Sequence, residues 1–137
     1  MSESLEHLRL VGAIISWIRA EYGRQPYLCI FCDSPLTETF ERPYEIGGCC
    51  PDVLAEDTPP TVTIIGEAKT HVDLFSDRSW RQILAYLYHL KTCSNGVLVL
   101  CVPKSIETIA KRILQRAAKI LGSRSVTIHV ISELDSA

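Results

Sequence analysis

No apolar run in this chain reaches the roughly 18 residues that a bilayer-spanning helix needs, so neither a transmembrane helix nor a membrane partner is expected. A basic N-terminal region is also missing. The chain opens with Ser2, Glu3 and Glu6, so no secretory signal is apparent. Basic charge is not in excess: the formal net charge is −2, which argues against sequence-independent nucleic-acid binding, because neutralising phosphates takes a surplus of Lys and Arg. Internal repeats, low-complexity tracts and interdomain linkers are absent, and 137 residues suit one compact domain spanning 1–137. What is present is material for a core. Hydrophobic residues make up 47% of the chain, enough to rule against disorder. The six cysteines include the adjacent pair Cys49 and Cys50. With no signal segment, they favour a reducing cytoplasm over a disulfide framework.

Hydrophobic spacing sets out the elements. Leu5, Leu8, Val11, Ile15 and Ile18 recur at helical intervals and predict a helix over 4–22, stopped at Gly23. Residues 27–32 read as a first strand, with Asp33, Ser34 and Pro35 as its turn, and 46–54 as a short second strand with a glycine-rich entry. Residues 61–69, rich in β-branched side chains, predict a third strand, and 70–75 a connecting loop. A helix over 77–92, capped by Ser76 or Asp77, turns Trp80, Ile83, Leu84, Leu87 and Tyr88 inward and leaves Gln82 and Tyr86 on a second face. The unbroken apolar run from Gly96 to Val102 suits a buried central strand. A helix over 105–121 points Ile106, Ile109, Ile113, Ala117 and Ile120 inward and the basic stripe Lys111, Arg112, Arg116 and Lys119 outward. A last strand covers 126–131.

The third strand ends in two charges. Residues two apart on a strand share a face, so Glu67 and Lys69 project together while Ala68 points the other way. An apolar strand that delivers two charges to one place is expected to have them paired or bound to a metal. The turn chemistry of Glu56, Asp57, Thr58, Pro59 and Pro60 makes 51–70 a hairpin, which brings Asp52 back beside Glu67. Two carboxylates and an ammonium then meet at one end of a sheet. Such oxygen ligands suit Mg2+ or Mn2+, with waters and substrate phosphates completing the shell. Lys69 would orient or deprotonate the attacking water, or stabilise developing negative charge.

Pro51-Asp52 followed by Glu67-Ala68-Lys69 resembles the signature of the PD-(D/E)XK nuclease superfamily, with its restriction-endonuclease-like fold. Gln82-Ile83-Leu84-Ala85-Tyr86, on the helix after the Glu-x-Lys strand, resembles the Gln-x-x-x-Tyr motif of the RecB-like branch. The resemblance covers about 27–90 directly and most of the chain by element order. It implies an α/β core in the order αβββαβαβ, with a mixed central sheet flanked by helices. It also implies a metal site at Asp52, Glu67 and the Ala68 carbonyl, with Lys69 acting on water and Gln82 and Tyr86 supporting. An acidic residue on the first helix sometimes completes that site. Glu6 is the candidate here, against the simpler reading of a solvated glutamate favoured by the helix dipole.

The function this implies is a metal-dependent nuclease hydrolysing phosphodiester bonds of DNA. The alternatives are an inactive nucleic-acid- or protein-binding module of the same fold, or an RNA-directed nuclease. Cutting a duplex takes two sites, which a homodimer supplies. Cys29 and Cys32 lie three apart on a strand and so on opposite faces, which suits packing better than a zinc or iron–sulfur site. His71, just past the Glu-x-Lys strand, reads as a surface loop histidine or a substrate contact.

Overall fold

The structure, a computed structural model, describes residues 4–33 and 40–135. Ser2, Glu3, Ser34 and Pro35 lie outside the described residues. Helix α1 (Leu5–Tyr22) is followed by strands β1 (Cys29–Cys32), β2 (Val53–Glu56) and β3 (Thr63–Ala68). Then come a one-turn helix α2 (His71–Leu74), helix α3 (Asp77–Lys91), strand β4 (Gly96–Pro103), helix α4 (Glu107–Leu121) and strand β5 (Thr127–Glu133). Apart from the added turn α2 and a short 3-10 turn at Lys104–Ile106 that leads into α4, this is the expected order αβββαβαβ. The loop expected over 70–75 winds into that turn because the Thr70 hydroxyl caps it, accepting from the Asp73 amide.

The five strands form one mixed sheet in the order β1-β2-β3-β4-β5. The hairpin β2–β3 is antiparallel with Val53 opposite Gly66 and Glu56 opposite Thr63. Its turn is held by the Asp57 carboxylate, which accepts from the amides of Thr61 at 2.7 Å and Val62 at 2.9 Å. Strands β3 and β4 then run parallel, as do β4 and β5. All eight residues of β4 are buried, as the unbroken apolar run requires of a strand hydrogen-bonded on both edges. The second strand begins later than its glycine-rich entry suggested. Ile46 and Cys49 instead form an isolated bridge ahead of it.

Alternation along β3 sorts its side chains between two cores. Ile64 and Ala68 pack with Leu10, Val11, Ile14 and Ile18 of α1. Ile65 packs with Ile83, Tyr86 and Leu87 of α3 and with Leu114 and Ala117 of α4. The sheet therefore has α1 on one face and α3 with α4 on the other. Gly66 is what lets α1 approach: a Cβ built there would lie 2.5 Å from Ile14 Cγ2 and 3.3 Å from Val53 Cβ.

Two helices sit at a different rotation from the one their hydropathy predicts. In α3 the buried residues are Ser79, Gln82, Ile83, Tyr86, Leu87 and Leu90, while Tyr88 is 64% exposed. Gln82 and Tyr86 thus share the inward face. In α4 the buried residues are Ala110, Leu114 and Ala117, whereas Ile109 and Ile120 are exposed. Small alanines let α4 lie close to its neighbours, a packing gain that a ranking by hydropathy does not see. The basic stripe Lys111, Arg112, Arg116 and Lys119 is exposed as expected. Cys29 is exposed and Cys32 buried, consistent with opposite faces. Among the described residues, no helix is long and apolar enough to cross a membrane.

Candidate active site

The hairpin register brings Asp52 next to the end of β3. The Asp52 amide donates to Glu67 Oε2 at 2.9 Å, and the Ala68 amide donates to Asp52 Oδ2 at 2.9 Å. The two acids are therefore locked together through the backbone of the hairpin. From α1, His7 Nε2 reaches Asp52 Oδ2 at 3.2 Å. His7 is held in the first helical turn by Ser4, whose hydroxyl accepts the His7 amide at 3.1 Å, an N-cap arrangement.

Glu67 and Lys69 leave β3 on the face covered by α3. Both are buried, at 3% and 6% exposure, where an unpaired charge is costly. Their partners are mutual and come from α3. Lys69 Nζ lies 3.7 Å from Glu67 Oε1 and donates to Gln82 Oε1. Tyr86, fully buried, donates its hydroxyl to Glu67 Oε1 at 3.3 Å. The Lys69 amide extends the β3–β4 ladder by donating to the Cys101 carbonyl at 3.0 Å.

The electrostatics separate the two acids. Burial pushes the Glu67 carboxyl well above its ordinary range, and the adjacent Asp52 charge adds to the effect, outweighing Lys69. Burial also pushes Asp52 up, but hydrogen bonds from His7 and from the Glu67 carboxyl outweigh it and leave Asp52 below its ordinary value. Burial and the neighbouring charge thus favour the proton on Glu67 over Asp52, as expected of two carboxyls in one site. The Tyr86 hydroxyl is raised beyond titration by burial, then by the Glu67 charge, so it acts as a hydrogen-bond donor.

Asp52, Glu67, Lys69 and Gln82 line a polar cleft of about 560 Å³, together with His7 and, from the N-terminus of α3, Ser76, Arg78 and Ser79. Among the described residues, no group of three or more His, Cys, Asp and Glu side chains gathers in metal-holding geometry. Two carboxylates and a strand-end backbone suit a hard cation that keeps several waters, rather than an all-protein cage. The upward shift of the Glu67 carboxyl beside Asp52 marks a place where positive charge is favoured.

Asp52, Glu67, Lys69, Gln82 and Tyr86 are thus brought together. Ala68 joins them through its amide. Glu6 is half-buried on the first turn of α1 and is not among the cleft-lining side chains; the residue of that turn that reaches Asp52 is His7. His71 lies on α2 and is exposed, with Nε2 2.8 Å from Ser105 Oγ and 3.5 Å from Asp135 Oδ2. His7 and Ser79 were missed by sequence reasoning. Helical phase was a usable signal for His7, since it shares a face with Val11, Ile14 and Ile18, all buried.

Comparison with known proteins bears on the fold. No family model matches the chain, and no curated protein matches it in sequence. Among solved structures, it is similar to SfsA from Pyrococcus furiosus, solved in complex with Ca2+, with a TM-score of 0.53 and 17% identity. The match covers 91% of this chain but 57% of that protein, so this chain spans little more than half its length.

Proposed function

We propose that the chain is a metal-dependent nuclease of the PD-(D/E)XK type, hydrolysing phosphodiester bonds of DNA with Mg2+ or Mn2+. One observation carries this reading: Asp52, Glu67 and Lys69 converge at one sheet end on a polar cleft, with Glu67 buried beside Asp52. A structural ion-pair cluster needs no second acid against a buried one. The SfsA structure, solved with Ca2+, is in keeping with a divalent ion at this fold.

Asp52 and Glu67 would hold the ion, joined by the Ala68 carbonyl. When bound, a divalent ion supplies Lewis acidity toward water and a phosphate oxygen. The protein does the rest. Gln82 fixes the Lys69 ammonium at the cleft wall, where it orients the attacking water and stabilises negative charge developing on the phosphate. Tyr86 holds Glu67 Oε1 and so aims its carboxyl. His7 performs the same service for Asp52 from α1. Glu6 would contribute only through the outer water shell. We place the reaction in a single cytoplasmic domain, acting on duplex DNA as a homodimer.

The test is cleavage of labelled DNA and RNA strands of one sequence by the purified chain, with Mg2+ and with EDTA. Mg2+-dependent cleavage of DNA is expected, lost in Asp52→Asn. No cleavage of any strand with either Mg2+ or Mn2+ contradicts the nuclease reading and favours an inactive binding module. Preferential cleavage of RNA moves the substrate but keeps the site.

A further inference from the structure

The N-terminus of α3 lines the same cleft and carries a group that the reaction above does not use. Ser79 is 1% exposed, and its hydroxyl has no hydrogen-bond partner among the described residues, although its amide is capped by Ser76 Oγ at 3.1 Å. A buried hydroxyl without a partner costs stability and calls for an explanation. Around it are features that favour an anion. The first amides of a helix have no intrahelical acceptor, and the helix dipole places positive potential there. Arg78 and Lys69 line the same wall. The nearby acid Asp73 is engaged, accepting from the Thr70 hydroxyl at 2.9 Å. Past Ser76, which belongs to both, the cleft adjoins a groove of about 320 Å³ lined by Phe75, Trp80 and Arg116. Phe75 is 59% exposed there, and exposed aromatics suit a stacked base.

We infer that Ser79 and the N-terminus of α3 form a subsite for a non-reacting phosphate of a nucleotide, whose base lies toward Phe75 and Trp80. The inference rests on the nuclease reading for the identity of the substrate, but its binding chemistry stands without cleavage. Ser79 binds the phosphate by donating its hydroxyl. It takes no part in the bond that breaks.

The experiment is calorimetric titration of thymidine 5′-monophosphate, and of thymidine as the control, into the full chain in EDTA. Parent, Ser79→Ala and Lys69→Ala are compared, with a thermal melt of each. The parent is expected to bind the nucleotide and not the nucleoside. Ser79→Ala should weaken binding about tenfold, the loss of one hydrogen bond to a charged group. It should melt no lower than the parent, because it removes an unsatisfied hydroxyl. Lys69→Ala should also weaken binding, since it removes one of the two cations on that wall. Absence of saturable binding by the parent, or equal affinity in Ser79→Ala, overturns the subsite, whatever the DNA assay shows. If no form cleaves DNA yet Ser79→Ala loses nucleotide affinity, the nuclease reading falls and the subsite stands.

Discussion

Lys69 is a cation held where cations are expensive, 6% exposed between Glu67 and Gln82. In the proposed reaction its removal separates chemistry from ion binding. Lys69→Ala should lower DNA cleavage by about 10²–10⁴-fold, the usual contribution of a positioned proton-transfer group. Calorimetry should find its divalent-ion affinity unchanged or higher. Full activity in that variant takes Lys69 out of the mechanism. In the proposed reaction Gln82 acts through Lys69, so Gln82→Ala should slow cleavage by about tenfold to hundredfold through misplacement of the ammonium. Its ion affinity should match the parent's, measured by the same titration. A rate equal to the parent's would mean that Lys69 holds its position without the amide.

The elements explain why some of this was legible in the sequence and some was not. The β3 strand and its hairpin with β2 followed from β-branched residues and turn chemistry, and strand alternation placed Glu67 and Lys69 together. The rotation of α3 did not follow. Inward polar residues look like surface residues to a hydropathy count, so Gln82 and Tyr86 were separable from a solvated face only by the resemblance of their spacing. In α4 the error ran the other way, with exposed Ile109 and Ile120 taken for core because alanine ranks below isoleucine in hydropathy. Gly66 gave no warning of its role, since its neighbour Ile14 lies far off in sequence. Gly66→Ala places a Cβ 2.5 Å from Ile14 Cγ2 and should force α1 away from the sheet. The expected cost is about 1–3 kcal/mol, seen as a melting temperature lower by about 3–10 °C. An unchanged melt would mean that α1 can shift freely, and the His7–Asp52 contact would then not be fixed by packing.

For the whole molecule, the site makes stability depend on pH. Glu67 binds its proton more tightly folded than unfolded, so over the interval between its two pKa values the native state holds more protons. Stability then falls as pH rises through that interval, and the group contributes no change below its unfolded value near 4.5. Asp52, shifted down, acts only at more acid pH, where its contribution is lost as pH falls through its folded value. The metal-free chain should therefore melt progressively lower from about pH 5 upward. In Glu67→Gln, which keeps the shape without the charge, that slope should flatten, and at pH 8 the variant should melt about 2–6 °C above the metal-free parent. Fluorescence melts across pH check both, and parallel slopes in the two proteins would show that Glu67 is not the group responsible.

The same proton gives the most direct test of the site. A cation that takes the place between Asp52 and Glu67 must displace it, because ligating carboxylates bind metal deprotonated. Titration of Mn2+ into the chain at pH 7, by calorimetry in two buffers of different ionisation heat, reads ion uptake and proton release together. A metal site at these two acids requires saturable binding with release of up to about one proton per chain, and a Glu67→Gln variant that binds more weakly and releases none. No saturable uptake by the parent, or identical uptake and release in Glu67→Gln, would contradict it.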